Sequence, residues 1–235
     1  MSKNYPETEL YEPVKKFLTG LGYHVQGEVR GCDLTAVRED ELVIVELKKS
    51  FSIELLYQAM DRQAITDQVY AAVPRPLKNE SLAIKNMTRI IKKLDLGLIT
   101  VAMDSPLKYV EAVVHPGESK RRKSSKRRQS LLSEIAGRNY GDNTGGSHKV
   151  KLLTAYKEKS IRAACVIEKQ GSVTTKELVN DFGFDKGIQN LLYRNYNGWF
   201  ERVDKGTYAL SEEGRKAISE GKFGEVADYY RGLLL

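Results

Sequence analysis

Asp33, Glu46 and Lys48 fall within one short stretch whose other residues are largely apolar. Cys32 to Val37 and Leu42 to Leu47 are β-prone runs, and Arg38 to Glu41 is a polar turn between them. A carboxylate on a buried strand is costly unless it is paired or bound to a metal. Residues two apart share a strand face, so Glu46 and Lys48 point one way and Leu47 the other. The short turn lets Asp33 and Glu46 converge. Two such carboxylates can hold magnesium or manganese and leave positions for water and a phosphate oxygen. A lysine beside them can steady an attacking water and offset charge developing on phosphorus. Asp33, Glu46 and Lys48 are therefore candidate catalytic residues, with Asp33, Glu46 and the Leu47 carbonyl as metal ligands. Lys49 points to the opposite strand face from Lys48.

The elements that must position these residues can be read in order. Leu10, Val14, Phe17, Leu18 and Leu21 repeat at helical spacing and predict a helix over 9–21. Pro13 is tolerable only near a first turn, so a late start is expected. Tyr23 to Val29 reads as a strand, 52–67 as a helix, and Gln68 to Val73 as a further strand. A helix over 81–93 and strands over 96–103 and 109–114 follow. Helix, three strands, helix, strand, helix and two strands is the order of an α/β mixed sheet. No glycine-rich phosphate loop is present, so no nucleotide-driven motor is implied. Glu12 and Glu9 are the acids of the first helix, favoured by the helix dipole if they merely face solvent. On the second helix Gln58 and Arg62 are four apart and share a face, either as a surface pair or as part of a site.

The stretch resembles the PD-(D/E)XK nuclease superfamily, the fold of restriction endonucleases and archaeal Holliday-junction resolvases. Asp33 matches its first acidic position and Glu46-Leu47-Lys48 its E-x-K tripeptide. A salt-bridged structural cluster on an ordinary α/β sheet is the competing reading. The resemblance implies a restriction-endonuclease-like mixed-sheet core over residues 1–116. Many members place a glutamate on the first helix facing the metal, and Glu12 matches it better than Glu9. Related folds often set a glutamine or a basic residue after E-x-K to reach the phosphate. Gln58 is that candidate, with Arg62 next.

The chain has 235 residues and a formal net charge of +7. Residues 119–128 hold seven basic residues and no acid: Lys120, Arg121, Arg122, Lys123, Lys126, Arg127 and Arg128. The rest of the chain is therefore nearly neutral. Such a tract is an electrostatic footprint for phosphate backbones, or else a solubilising linker. With the polar segment 139–147 it forms an expected basic linker over 117–149, holding a short helix at Leu131 to Ile135. Cys32 and Cys165 make neither a metal spacing nor a disulfide framework, and suit a reducing cytoplasm. No apolar run approaches a membrane span, and the N-terminus does not read as a signal peptide.

Residues 150–235 read as a second unit. A helix is expected over about 152–168. Thr174-Thr175-Lys176-Glu177 is a capping box opening a helix over 175–181. Asp185 can cap a helix over 186–194. A hairpin follows, Trp199 to Val203 and Thr207 to Leu210, around Asp204-Lys205-Gly206. Ser211 opens a last helix, and Trp199-Phe200 is expected in the core. The order resembles the winged helix-turn-helix family, in which helix 186–194 would enter the major groove and present Lys186, Gln189, Asn190 and Arg194. Winged helices also dock proteins. The whole chain, nearly end to end, resembles a bacterial family of PD-(D/E)XK phosphodiesterases, through Asp61-Arg62-Gln63 and Asn197-Gly198-Trp199-Phe200-Glu201-Arg202-Val203. The resemblance implies a fold and a phosphodiesterase chemistry but no particular substrate. The expectation is a Mg2+- or Mn2+-dependent nuclease that acts on DNA before RNA and is targeted by its own winged helix. The alternative is a DNA-binding or regulatory protein with an inert nuclease-like core. Expected partners are nucleic acid and a second copy of the chain, with no membrane.

Overall fold

The acid-bearing strands sit side by side near the middle of a six-stranded sheet. The computed structural model describes residues 5–76, 80–140, 143–146 and 152–234. The chain divides into two units, Met1–Ala136 with Gly141–Leu152, and Gly137–Tyr140 with Leu153–Leu235.

The first unit runs α1 (Thr8–Gly20), β1 (His24–Val29), β2 (Cys32–Arg38), β3 (Glu41–Leu47), α2 (Ile53–Arg62), β4 (Val69–Pro74), α3 (Glu80–Lys93), β5 (Gly97–Val101), β6 (Val110–Val114) and α4 (Ser125–Ala136). The strands lie in sequence order. β1, β2 and β3 pair antiparallel, β3, β4 and β5 parallel, and β5 with β6 antiparallel. Helices cross between the parallel strands, as parallel pairing requires. Both faces are thereby covered, which is why β3, β4 and β5 read as unbroken apolar runs. On one face Leu10, Tyr11, Val14 and Leu18 of α1 pack with Leu34, Ala36, Val43, Val45 and Leu47. Elsewhere Leu55 and Ala59 of α2 pack with Val69, Ala71 and Val73, together with Met87 and Ile91. Leu131 and Ile135 of α4 pack with Val29, Leu42 and Ile44.

Two expectations for this unit change. α1 starts at Thr8, ahead of Pro13, which lies inside the helix. The tract expected as a linker is folded: α4 begins at Ser125 within the basic run, and Leu131 and Ile135 anchor it in the core.

The second unit contains α5 (Ala155–Gln170), β7 (Ser172–Thr174), α6 (Thr175–Asn180), α7 (Ile188–Arg194), β8 (Phe200–Asp204), β9 (Thr207–Leu210), α8 (Glu212–Ser219) and α9 (Gly221–Leu233). Its antiparallel sheet has the order β7-β9-β8. The capping box at α6 is formed. Glu177 N–H donates to Thr174 Oγ1 at 3.2 Å and Thr174 N–H to Glu177 Oε2 at 2.7 Å. Trp199 and Phe200 are in the core. The periodicity did not reveal β7, three residues long, or α9, whose Gly221 and Gly224 interrupt the apolar pattern. Glu158 is buried within this unit, where its Oε1 accepts from Asn139 N–H at 2.7 Å, Tyr140 N–H at 2.8 Å and the Tyr230 hydroxyl at 2.5 Å.

Candidate active site

The β2–β3 ladder sets Leu34 opposite Val45, so the next pair outward is Asp33 with Glu46. Both face away from the α1 core, on the side that α2 covers. Asp33 Oδ2 accepts the Leu47 N–H at 2.8 Å, which fixes its carboxyl at the end of β3. The carboxyls of Asp33 and Glu46 are close enough for the charge of Asp33 to act on Glu46. Glu46 is 1% exposed. Burial first, and then the charge of Asp33, push it up to about 8. Burial also raises Asp33. Two acids held together in a dry place favour a proton or a cation between them.

One cation is supplied by the chain. Arg62, at the end of α2, donates from Nε to Glu46 Oε1 at 2.7 Å, and from Nη2 to the Gly31 carbonyl. Gly31 lies at the two-residue β1–β2 turn, where Arg30 and Gly31 both have positive φ. That turn is of the type whose twist suits a hairpin. It brings the Gly31 carbonyl to Arg62.

Lys48 leaves β3 on the same side as Glu46. Its Nζ lies 3.4 Å from Glu7 Oε2 and 3.4 Å from Glu54 Oε1. Burial pulls its pKa down, but the charges of Glu7 and Glu54 outweigh this and the ammonium titrates above its ordinary value. α2 opens on Ser52, whose side chain accepts the Leu55 N–H at 3.2 Å. This cap fixes the helix at the residue level and so sets Glu54. Gln58, one turn on, donates to Glu54 Oε1 at 3.5 Å. Its own Oε1 is buried and has no hydrogen-bond partner among the described residues. Lys49 lies beyond the end of β3 and is exposed.

Asp33, Glu46 and Lys48 are therefore together, with Gln58 joined to them through Glu54. Glu12 is not. It is exposed on α1, on the side away from Leu10, Val14 and Leu18. Glu7, just ahead of α1, is instead the acid of this region that reaches Lys48. Glu9 pairs instead with Lys108 at 3.4 Å. Glu7 and Glu54 were missed. Only the four-residue spacing of Glu54 from Gln58 pointed to the latter. A glycine was missed as well. A Cβ on Gly145 would lie 2.2 Å from the Asp33 carbonyl oxygen, so only glycine lets residues 143–146 pass beside that strand.

Among the described residues no group of three or more His, Cys, Asp or Glu side chains could hold a metal ion. The pair Asp33 and Glu46 offers only hard oxygens, and their mutual repulsion is relieved by positive charge. This suits a cation that keeps several of its waters, as magnesium does. It does not suit a structural zinc, which takes nitrogen and sulfur ligands. Cys32 borders the site but is buried, and its thiol is pushed up to about 12 by that burial. It is inert as a thiolate ligand.

Most of the basic tract is spent on the fold. Arg121 donates to the Met60 carbonyl at 3.1 Å, and Lys123 donates to the Gln63 carbonyl at 2.9 Å and pairs with Asp67. Arg127 grips both oxygens of Asp61, at 3.2 and 2.6 Å, and Arg128 donates to the Asp40 carbonyl at 2.9 Å. Met60 and Gln63 lie where α2 ends, a place that favours positive charge. Of the seven side chains expected to meet phosphates, four are thus hydrogen-bonded within the unit. Lys120, Arg122 and Lys126 are exposed and make no hydrogen bond or ion pair among the described residues. In the second unit Lys186, Gln189, Asn190 and Arg194 are all exposed. The first three line a groove of about 530 Å³ with Tyr193, Arg202 and Lys205. Arg194 is turned onto Asn190 Oδ1 at 3.0 Å and the Tyr196 hydroxyl at 2.6 Å.

The six-stranded mixed sheet, with paired acids and a lysine on adjacent strands, is consistent with a restriction-endonuclease-like core. Residues 99–217 match the family described as "Putative PD-(D/E)XK phosphodiesterase (DUF2161)", and the chain belongs to that family. The match spans about half the chain rather than nearly all of it. It begins after the hairpin, so Asp33, Glu46 and Lys48 stand on their geometry. Comparison with curated proteins and with solved structures gave no match.

Proposed function

We propose that the protein is a divalent-metal-dependent phosphodiesterase that hydrolyses nucleic acid, DNA before RNA. The observation that carries this reading is the convergence of Asp33 and Glu46 beside Lys48 on neighbouring strands. Asp33, Glu46 and the Leu47 carbonyl would hold Mg2+ or Mn2+. The ion, when bound, supplies charge neutralisation on the phosphate and a more acidic water. Arg62 fixes one oxygen of Glu46 and leaves the other for the ion. Lys48, drawn off Glu7 and Glu54 by the phosphate, places its ammonium beside the attacking water. The water oxygen bonds to phosphorus and gives its proton to solvent as the bond to the leaving sugar oxygen breaks. That leaving oxygen takes a proton from solvent, and the ammonium offsets the charge that develops.

The second unit is proposed as a winged helix, with α7 as its recognition helix and β8–β9 as its wing. The exposed Lys186, Gln189 and Asn190 beside Arg202 and Lys205 support a nucleic-acid role for that groove.

A second reading, an inert core that only binds, draws on the Arg62–Glu46 pair, which already neutralises one acid. Single-turnover cleavage of linear, flapped and branched DNA in Mn2+ separates the two. Lys48→Ala should lose about 100-fold or more in rate while Mn2+ binding, read by calorimetry, is kept. Wild-type protein that neither binds Mn2+ nor cleaves would establish the inert core.

A further inference from the structure

We propose that Tyr57, with Ile53 beside it, is a stacking platform for an unpaired nucleobase next to the candidate active site, so that the substrate is single-stranded or frayed nucleic acid. The role rests on the phosphodiesterase reading, but the test reads binding by itself.

α2 divides its residues among distinct tasks. Leu55 and Ala59 are in the core, Arg62 reaches Glu46, and Glu54 reaches Lys48. Ile53 and Tyr57 are left, 70% and 69% exposed. They are four apart and so share one face. Tyr57 stands about 60° around the helix from Glu54 and about 4.5 Å along its axis. It makes no hydrogen bond or ring contact among the described residues. A lone exposed apolar side chain is ordinary. Here two large ones adjoin each other and flank a helix stripe that ends on the candidate catalytic lysine.

The same helix carries cations on its last turn. Arg121 is held at the Met60 carbonyl and Arg127 at Asp61. The uncommitted Lys120, Arg122 and Lys126 belong to that tract. Cations that follow a backbone, with an aromatic ring on which a base can lie, are how proteins hold single strands without reading their sequence. A base inside a duplex already has both faces covered by its neighbours. Along a duplex, away from its two ends, only an unpaired base can present a face to Tyr57. DNA and RNA share that face, so the two sources are separated by the probe.

The experiment uses the full chain in EDTA, so that cleavage does not intervene, with unstructured thymidine and uridine oligomers and a blunt DNA duplex. Tyr57→Ala should weaken oligomer binding roughly tenfold and leave duplex binding unchanged. Tyr109→Ala, at another exposed tyrosine next to edge strand β6, should change neither. In Tyr57→Trp the new indole should be quenched by the oligomers and not by the duplex, over the constant emission of Trp199, which is buried away from the ligand. An effect confined to one oligomer would fix the sugar of the substrate and still support the platform. Equal oligomer affinity of wild type and Tyr57→Ala, or equal loss on the duplex, would overturn it. Failure of the phosphodiesterase reading shows elsewhere, as inactive wild-type protein, and leaves these affinities readable.

Discussion

Glu46 is the residue whose environment is least comfortable without a ligand. In the folded protein it titrates near 8 against an ordinary 4.5, because of burial and then Asp33. Between those pH values the folded protein keeps a proton that the unfolded chain has released. Stability from this group therefore falls as pH rises through that window. Asp33→Asn removes the repelling charge yet keeps an oxygen to accept the Leu47 N–H. In EDTA at pH 8 the variant should melt higher than wild type, and the gap should close toward pH 5. Manganese should raise the melting temperature of wild type but not of the variant. A variant no more stable than wild type at pH 8 would mean that the two carboxylates do not oppose each other. Asp33, Glu46 and Lys48 were legible in the sequence because acids are out of place on apolar strands and strand parity is a strict period of two. Glu7 was not, because its approach to Lys48 depends on where α1 begins, and Pro13 argued for the wrong place. Helix starts are set by tertiary packing as much as by local rules.

At the scale of elements, two stretches that read as connections are structural. The basic run caps the end of α2 and leads into α4. The charge pattern could not reveal this, because a lysine that pairs with Asp67 has the same letter as one that meets a phosphate. The strands and most helices were readable from periodicity. The three-residue β7 carries no period to read, and it is held by pairing with β9. α5 gives a test at this scale. Glu158 lies inside a helix that reads as an ordinary amphipathic one, yet it collects three donors. Charge-assisted bonds of this kind are worth about 1.5–3 kcal/mol each, though they do not add fully. Glu158→Ala should cost the second unit about 3 kcal/mol, and Glu158→Gln, which keeps an accepting oxygen, clearly less. Trp199 is the single tryptophan and lies in that unit's core, so its fluorescence in urea reports the relevant transition. Equal loss in both variants would mean that the carboxyl fills space rather than accepting bonds.

For the whole molecule, the net charge of +7 overstates what a phosphate backbone can meet, because Arg121, Lys123, Arg127 and Arg128 are already engaged. Among the described residues, Lys120, Arg122 and Lys126 of the tract and Lys186 and Lys205 of the second unit's groove are exposed cations whose side chains are not so engaged. Each phosphate contact contributes about 0.9 to the slope of log affinity against log salt on duplex DNA. Glutamine at Lys120, Arg122 and Lys126 together should lower that slope by about 2.7 if each meets one phosphate. Glutamine at Arg121 and Arg127 should instead lower the melting temperature of the first unit. An unchanged slope in the triple variant would show that the tract serves the fold alone.

The division of the chain also decides where it can be cut. Gly137–Tyr140 belongs with the second unit, and the chain then returns to the first before Leu153. A cloning boundary placed at 150, where the sequence itself invites one, would strip Glu158 of two of its three donors and leave a buried carboxylate looking for water. A boundary at 136 would keep those donors, but it would take from the first unit the glycine pass beside Asp33. Neither half can be excised cleanly by a single cut, so activity and recognition are best dissected by point substitution in the intact chain.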